Sequence, residues 1–212
     1  MKRILIVDDH AVVRQGIARI ICDGIEHQLK CHEAPDGKTA IELIDKWEYD
    51  LVLLDISLPD ENGLDVLKKL HRKNPKLPVI ILSTYPEEQY TIRTLRAGAM
   101  GYINKSAAAT ELKTAIEKVL SGGKYISPSQ AELLADSISI RNDDIPLYTS
   151  LSDREFQLVC MIANGKTLSE IARDLNLSVK TISTYRTRVL EKLQLRTTAD
   201  IINYCITNKL TL

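Results

Sequence analysis

The stretch LVLLDISLPDENG, residues 51–63, decides the fold of the first half of this chain. Its first four residues are apolar and are followed by turn-forming residues, a pattern typical of a strand buried inside a parallel sheet. Asp55 stands at the end of this apolar run. A carboxylate at the tip of a buried strand raises the question of which other groups meet it there.

Strand-like and helix-like stretches alternate over residues 1–124. Amphipathic segments with apolar residues at helical spacing separate the strand candidates. This alternation predicts an α/β domain with a five-stranded, parallel, doubly wound sheet covered by helices on both faces. The predicted strands are 4–7, 29–34, 51–54, 79–82 and 101–103.

Polar side chains follow four of these strands. Asp8 and Asp9 follow the first, Asp55 the third, Ser83 the fourth and Lys105 closely follows the fifth. In a doubly wound sheet the ligand crevice lies beyond the carboxyl ends of the strands. Three carboxylates that converge there repel one another, and a hard cation such as Mg²⁺ relieves the repulsion. A hydroxyl and an ammonium beside them suit a tetrahedral dianion, which Asp55 would carry after attacking a phosphoryl donor.

The order DD at 8–9, D at 55, S at 83 and K at 105 resembles the receiver domain of bacterial two-component response regulators over roughly the first 120 residues. The resemblance implies a flavodoxin-like receiver with Asp55 as the phosphoacceptor. Asp9, Asp55 and the backbone carbonyl of Ser57 would bind Mg²⁺ directly, and Asp8 would act through water.

The resemblance also implies how the signal is held. Ser83 would hydrogen-bond the acyl phosphate, Lys105 would pair with it, and Tyr102 would be an aromatic switch whose ring reorients when Ser83 is drawn inward. The donor would be the phosphohistidine of a sensor histidine kinase. The chain would be no enzyme beyond catalysing its own phosphorylation and dephosphorylation at Asp55.

Two other classes of protein compete with this interpretation. Haloacid-dehalogenase-type phosphatases also use a strand-end aspartate, but they need a second aspartate two residues on, where this chain has Ser57. A phosphorylation-independent DNA-binding protein would use the receiver only as a dimerisation scaffold. The complete set of acids, serine and lysine argues against that second class.

The alternating pattern ends after residue 124. Residues 125–150 predict a linker that contains one possible helix and a polar core at 141–150. Residues 151–212 carry no strand signal. Capping boxes at Ser152 with Glu155 and at Thr167 with Glu170 predict helix starts, Ser178 precedes a third helix, and 199–208 predicts a fourth. The second domain is therefore predicted to be smaller and all-helical.

Charge is concentrated in one part of the second domain. The whole chain has 28 basic and 28 acidic side chains, yet residues 147–212 carry nine and six, a net charge of +3. Five of the nine basic residues lie on the segment 179–196. On this segment Val179, Ile182, Val189 and Leu193 are predicted to form one apolar stripe, and Lys180, Thr184, Thr187 and Arg188 are predicted to form another face. Such a helix suits a DNA major groove, although a charged helix face alone is equally typical of a solvated surface.

Residues 151–195 closely resemble the LuxR-type (NarL/FixJ-class) helix-turn-helix domain, with the helix-turn-helix at about 168–187. The resemblance implies a double-stranded DNA operator as partner and a homodimer, formed through the last helix, when the protein is phosphorylated. The base-reading candidates are Ser183, Thr184 and Thr187. The phosphate-contact candidates are Lys180, Thr181, Tyr185 and Arg188.

The four cysteines show no CxxC spacing and predict free thiols in a reducing compartment. The start MKRILIVDD has too short an apolar run for a signal peptide, and no run approaches the length of a membrane span. A cytoplasmic protein is expected.

Overall fold

The computed structural model describes residues 2–24, 29–139, 146–208 and 210. The chain divides into two compact units between Leu133 and Leu134. This division falls inside a helix, and each unit has a hydrophobic core of its own.

Unit 1 contains the predicted parallel sheet of five strands. The strand order is β2-β1-β3-β4-β5, and every neighbouring pair is parallel. The order reverses between β1 and β3, so the ligand crevice of a doubly wound fold lies beyond the carboxyl ends of these two strands. The α/β prediction is confirmed. The strands are β1 Lys2–Val7, β2 Leu29–Ala34, β3 Leu51–Asp55, β4 Val79–Ser83 and β5 Gly101–Asn104.

Three of the strands run one residue further than predicted. Asp55 pairs with Leu82, and Ser83 pairs with Asn104. The polar residues therefore belong to the strands themselves, and their backbones are fixed by the sheet ladder. Apolar patterning does not detect this because it registers only apolar side chains, whereas Asp55 and Ser83 are polar and buried.

Among the described residues of unit 1, five helices cover the sheet. Ile17 and Ile21 of the first helix and Leu112 and Ile116 of the fifth join one hydrophobic cluster with sheet residues such as Leu53. Burial of this apolar stripe is what holds an amphipathic helix on a sheet face. The helices are α1 Ala11–Gly24, α2 Gly37–Lys46, α3 Gly63–Lys73, α4 Glu87–Arg96 and α5 Ala108–Leu120.

The loop after β3 turns back tightly on the strand that it leaves. A Cβ atom on Gly63 would lie 2.0 Å from the carbonyl oxygen of Asp55, so only glycine fits there. The Gly63 N–H donates to the Ile56 carbonyl at 2.8 Å. Asn62 caps α3 by accepting from the Leu64 N–H at 2.9 Å. The turn residues of the opening stretch thus fix the backbone on which Asp55 sits.

The helix predicted within the linker is present. Helix α6 spans Pro128–Ser139, and a 3₁₀ turn follows at Leu147–Ser150. The predicted polar core lies partly outside the described residues, at 141–145. Since the division between the units falls in α6, this helix is the covalent connection between them.

Unit 2 contains four helices among its described residues after 150, as predicted. Both predicted capping boxes are present, and a third joins Thr197 with Asp200. Ser178 caps the third of these helices by accepting from the Thr181 N–H at 3.0 Å. The helices are α7 Asp153–Ala163, α8 Leu168–Asp174, α9 Val179–Leu193 and α10 Thr198–Thr207.

The core of unit 2 corrects one sequence expectation. Ile182, Val189 and Leu193 of α9 are buried, as the predicted stripe requires, but Val179 is 48% exposed. Val179 is the first residue of α9, and the stripe becomes buried only from the next turn onward. In the part of the chain that the structure describes, no helix has the length and apolar character needed to span a bilayer.

Candidate functional site

The centre of the candidate site is a buried pair of carboxylates joined by one ammonium group. Asp8 and Asp55 are 1% and 2% exposed at the ends of the adjacent strands β1 and β3. The Nζ atom of Lys105 lies 2.6 Å from Oδ2 of Asp8 and 2.6 Å from Oδ2 of Asp55. One positive charge therefore faces two buried negative charges, a state that a further cation would relieve.

The protonation equilibria of the site follow from this arrangement. Burial raises the pKa of Asp55 to about 6, although Lys105 pulls it down. Burial alone would lower the pKa of Lys105, but the neighbouring Asp55 carboxylate outweighs it and raises that pKa. Lys105 is therefore charged at neutral pH, and its charge partly compensates the two carboxylates.

The predicted ligands do not all meet in one place. Asp8 and Asp55 share Lys105, whereas Oδ1 of Asp9 pairs with Nδ1 of His10 at 2.6 Å. Among the described residues, the ligand atoms of Asp8, Asp9 and His10 lie within 4.8 Å of one another. The backbone N–H of Ser57 donates to Oδ1 of Asp55 at 3.2 Å. His10 was not predicted, although its place beside two aspartates is a readable signal.

Arg14 is a second residue that sequence reasoning missed. Its Nη1 donates to the carbonyl oxygen of Asp8 at 2.7 Å, and its Nε donates to Oε2 of Glu33 at 2.8 Å. The Asp8 N–H in turn donates to the Ala34 carbonyl at 3.1 Å. Arg14 thus holds the backbone of a candidate ligand from outside the cluster, as groups around metal ligands commonly do. An arginine on a helix gives no sequence signal for this role.

Ser83 and Tyr102 lie on the adjacent strands β4 and β5, and both are fully buried. The Ser83 Oγ accepts from the Tyr85 N–H at 3.2 Å, and the Tyr102 hydroxyl donates to the Tyr85 carbonyl at 2.5 Å. The amide of Asn104 donates to the same carbonyl at 3.0 Å. Burial raises the pKa of Tyr102, so its hydroxyl stays protonated as a donor. Tyr85 therefore connects Ser83 and Tyr102.

The predicted DNA-contact residues form an exposed surface on α9. Most of them are exposed, while Thr181 and Tyr185 are half-buried. Several hydroxyls are held by the helix itself. Thr184 donates to the Lys180 carbonyl at 3.0 Å, and Thr187 donates to the Ser183 carbonyl at 3.1 Å. These bonds restrict the side-chain rotamers but leave oxygen lone pairs available as acceptors.

Two of the basic residues counted on α9 have structural partners within unit 2. Arg186 donates from Nε to the Thr198 hydroxyl at 2.8 Å, and the Nζ atom of Lys192 lies 2.6 Å from Oε2 of the buried Glu155. The exposed positive charge of α9 therefore comes mainly from Lys180 and Arg188 near its outer face.

The fold and the crevice define a class of protein, and the comparisons agree on it. Residues 4–117 match the family described as "Response regulator receiver domain", and residues 149–205 match "Bacterial regulatory proteins, luxR family". The chain belongs to the two-component response regulators that join a receiver to a LuxR-type domain.

Individual relatives cover nearly the whole chain. The response regulator GacA of Pseudomonas aeruginosa is 39% identical over 95% of this chain and 92% of its own. The response regulator UvrY of Escherichia coli K12 is 36% identical over 97% and 94%. A solved structure of two RcsB dimers bound to two parallel DNAs is 25% identical, has a TM-score of 0.60, and covers 97% of this chain and 98% of its own.

Proposed function

We propose that this response regulator receives a phosphoryl group on Asp55 from a sensor histidine kinase and then binds a DNA operator as a homodimer. The observation that carries the proposal is the contact of Lys105 with both Asp8 and Asp55 at 2.6 Å. The Oδ atom of Asp55 would attack the phosphorus of phosphohistidine, and the histidine would leave. Lys105 would then compensate part of the added charge.

The residues present fit a magnesium ion. Asp8 and Asp55 offer hard carboxylate oxygens at the ends of adjacent strands, the ligand type that Mg²⁺ prefers, and Asp9 would turn from His10 to join them. Asp9, Asp55 and the Ser57 carbonyl would hold the ion directly, with Asp8 acting through water. The bound ion would supply positive charge beside the transferring group.

Ser83, Lys105 and Tyr102 would read the phosphorylated state. The Ser83 hydroxyl would donate to the acyl phosphate, which changes its contact with the Tyr85 N–H. Tyr102 bonds the same residue through its carbonyl. Phosphorylation would therefore shift a two-state equilibrium in the segment between β4 and α4.

The second half of the proposal rests on α9. Its outer face carries Lys180 and Arg188 for phosphates and Ser183, Thr184 and Thr187 for base edges, with Thr181 and Tyr185 at its side as further phosphate contacts. The RcsB structure with dimers on DNA supports a dimeric DNA-binding form.

We place the receiver at 1–124, the linker at 125–150 and the DNA-binding domain at 151–212, and we place the whole protein in the cytoplasm.

A phosphoryl-uptake assay tests the receiver assignment. Acetyl phosphate and Mg²⁺ should add one phosphoryl group to the full-length chain, detected by intact-protein mass. Asp55→Asn should abolish the uptake, and the control Asp45→Asn, which changes an acid of α2 paired with Lys73, should retain it. Labelling of Asp55→Asn would overturn the assignment.

Selection of bound DNA from a random pool, with and without acetyl phosphate, tests the DNA-binding assignment. A two-fold symmetric sequence enriched by the phosphorylated protein supports a dimer on an operator. Enrichment of no sequence in either arm would contradict it.

A further inference from the structure

Helix α6 begins with a capping box whose glutamine is completely buried. The Ser127 hydroxyl accepts from the Gln130 N–H at 3.2 Å, and the Gln130 Oε1 accepts from the Ser127 N–H at 3.3 Å. Pro128 occupies the first helical position, which its fixed φ favours. Both residues of this capping box are buried, because Gln130 is 0% exposed and Ser127 is 6% exposed. The start of α6 is therefore packed against another part of unit 1.

Gln130 also bonds two other elements of unit 1. Its Nε2 donates to the Tyr102 carbonyl of β5 at 2.8 Å and to Oε1 of Glu87 of α4 at 2.9 Å. With Oε1 accepting from Ser127, both amide hydrogens and the carbonyl of this side chain have partners. A buried amide satisfied on three sides is sensitive to small movements of any of them.

Glu87 is the common acceptor of this contact. Its Oε2 accepts from the Ser129 hydroxyl at 2.7 Å and from the Ser127 hydroxyl at 3.3 Å, while Oε1 accepts from Gln130. The carboxylate also lies beside the N-terminus of α6, where negative charge is favoured. One carboxylate of α4 thus anchors the whole first turn of α6. We call Glu87, Ser127, Ser129 and Gln130 the Glu87 latch.

The Glu87 latch adjoins the residues that would report phosphorylation. Glu87 begins α4, directly after the segment that carries Tyr85. Tyr102 contacts both sides, because its hydroxyl donates to the Tyr85 carbonyl while its own carbonyl accepts from Gln130. A shift of Ser83 that moves Tyr85 would therefore act on both groups that accept from Gln130, the Glu87 carboxylate and the Tyr102 carbonyl.

We propose that the Glu87 latch holds the first turn of α6 on the α4–β5 surface in the unphosphorylated protein and that phosphorylation of Asp55 loosens it. The coupling to phosphorylation rests on the function proposed above. The latch is observed with Lys105 bound to Asp8 and Asp55, the arrangement of the unmodified carboxylate. Because α6 is the covalent connection between the two units, its release would carry the receiver's signal toward the DNA-binding unit.

Hydrogen exchange of the backbone amides of α6 in the full-length protein tests the proposal. Without donor, Glu87→Gln should accelerate exchange in α6 about tenfold, the factor expected when hydrogen bonds to a charged acceptor are weakened. Glu88→Gln, which removes the same charge from the next residue, should leave the exchange of α6 unchanged.

Acetyl phosphate with Mg²⁺ should accelerate α6 exchange in the wild type and not in Asp55→Asn. Ser129→Ala, which removes a single donor, should give a smaller acceleration and serves if Glu87→Gln does not fold.

Each outcome decides one step of the proposal. Equal exchange in Glu87→Gln and Glu88→Gln would show that Glu87 anchors nothing. Unchanged or slower α6 exchange in protein whose phosphorylation is verified by mass would overturn the coupling while the proposed function stands. Failure of any phosphoryl uptake would remove the proposed function and the coupling together, whereas the comparison of the two glutamate variants would still establish the anchor.

Discussion

The receiver crevice and the exposed face of α9 place their charged side chains in opposite environments. Asp8, Asp55 and Ser83 are at most 2% exposed, and the two carboxylates share one ammonium. On α9, Lys180 and Arg188 stand on an exposed helix face. The first site keeps charge in a low-dielectric environment, and the second displays charge to solvent.

This difference predicts where function and stability are linked. A buried charge that loses its partner remains desolvated, so a substitution in the crevice should change folding as well as chemistry. An exposed charge is screened by water and salt, so its loss should change binding alone. Substitutions of four residues test this contrast. Ranked by the free energy that each is expected to cost, in folding or in binding, they are Lys105, Arg14, Glu155 and Lys180.

Lys105→Met should cause the largest loss. It leaves Asp8 and Asp55 facing each other without a cation, and removal of one partner from a buried ion pair costs about 3 kcal/mol. Chemical denaturation at pH 7 in EDTA measures the free energy of unfolding. Added Mg²⁺ should restore part of it by binding the folded state.

The control for Lys105 is an exposed ion pair of the same unit. Lys73 and Asp45 have side chains 47% and 48% exposed, and Lys73→Met should change the free energy of unfolding by less than about 0.5 kcal/mol. Equal losses in the two variants would remove the distinction between buried and displayed charge.

Arg14→Met should weaken magnesium binding about tenfold, the lower range for residues that support metal ligands. It removes the hydrogen bond to the Asp8 carbonyl and leaves the carboxylates themselves in place. Titration calorimetry with Mg²⁺ measures the dissociation constant directly. Arg19→Met, an exposed change on the same helix, should bind Mg²⁺ as the wild type does.

The strand-end residues of the crevice were predictable because parallel strands bring their carboxyl ends to one edge. Asp8, Asp55 and Lys105 meet as that rule requires, although they are far apart in the chain. The contact between Asp9 and His10 was not predicted, since the direction of an exposed side chain depends on its local partners. Topology therefore places the residues, but it does not orient all of them.

Side-chain contacts between secondary-structure elements could not be predicted from the sequence, for a different reason. Arg14 bonds Asp8, and Gln130 bonds Glu87, across pairs of elements whose packing no periodicity specifies. The Ser127–Gln130 box did carry a signal, because serine followed three residues later by glutamine is a capping pattern. Its burial against β5 became evident only from the fold.

Glu155→Gln should destabilise unit 2 by about 1 kcal/mol at pH 7. The buried Glu155 accepts from the Ser152 N–H at 2.8 Å and from Lys192 at 2.6 Å. Burial alone would raise the pKa of Glu155, but the hydrogen bonds from Lys192 and Ser152 outweigh it and hold that pKa below its ordinary value of 4.5. The stabilisation is therefore present above pH 4.5 and is lost as the pH falls through the lowered pKa.

The pH dependence separates this effect from a simple packing loss. Thermal unfolding of wild type and Glu155→Gln should differ at pH 7 and converge in acid. A difference that persists unchanged well below pH 4 would mean that the charge of Glu155 is not what stabilises the cap.

Lys180→Ala should have no effect on folding and a uniform effect on DNA binding. Lys180 is the second residue of α9 and is exposed, so removal of its side chain leaves the core of unit 2 intact. If Lys180 neutralises one phosphate, affinity should fall for all DNA sequences alike, and the slope of log affinity against log salt should decrease by about 1. Lys124→Ala, an equal charge change on an exposed residue of unit 1, should leave the slope unchanged. If the loss of affinity depends on the DNA sequence and the salt slope is unchanged, Lys180 reads a base edge and does not neutralise a phosphate.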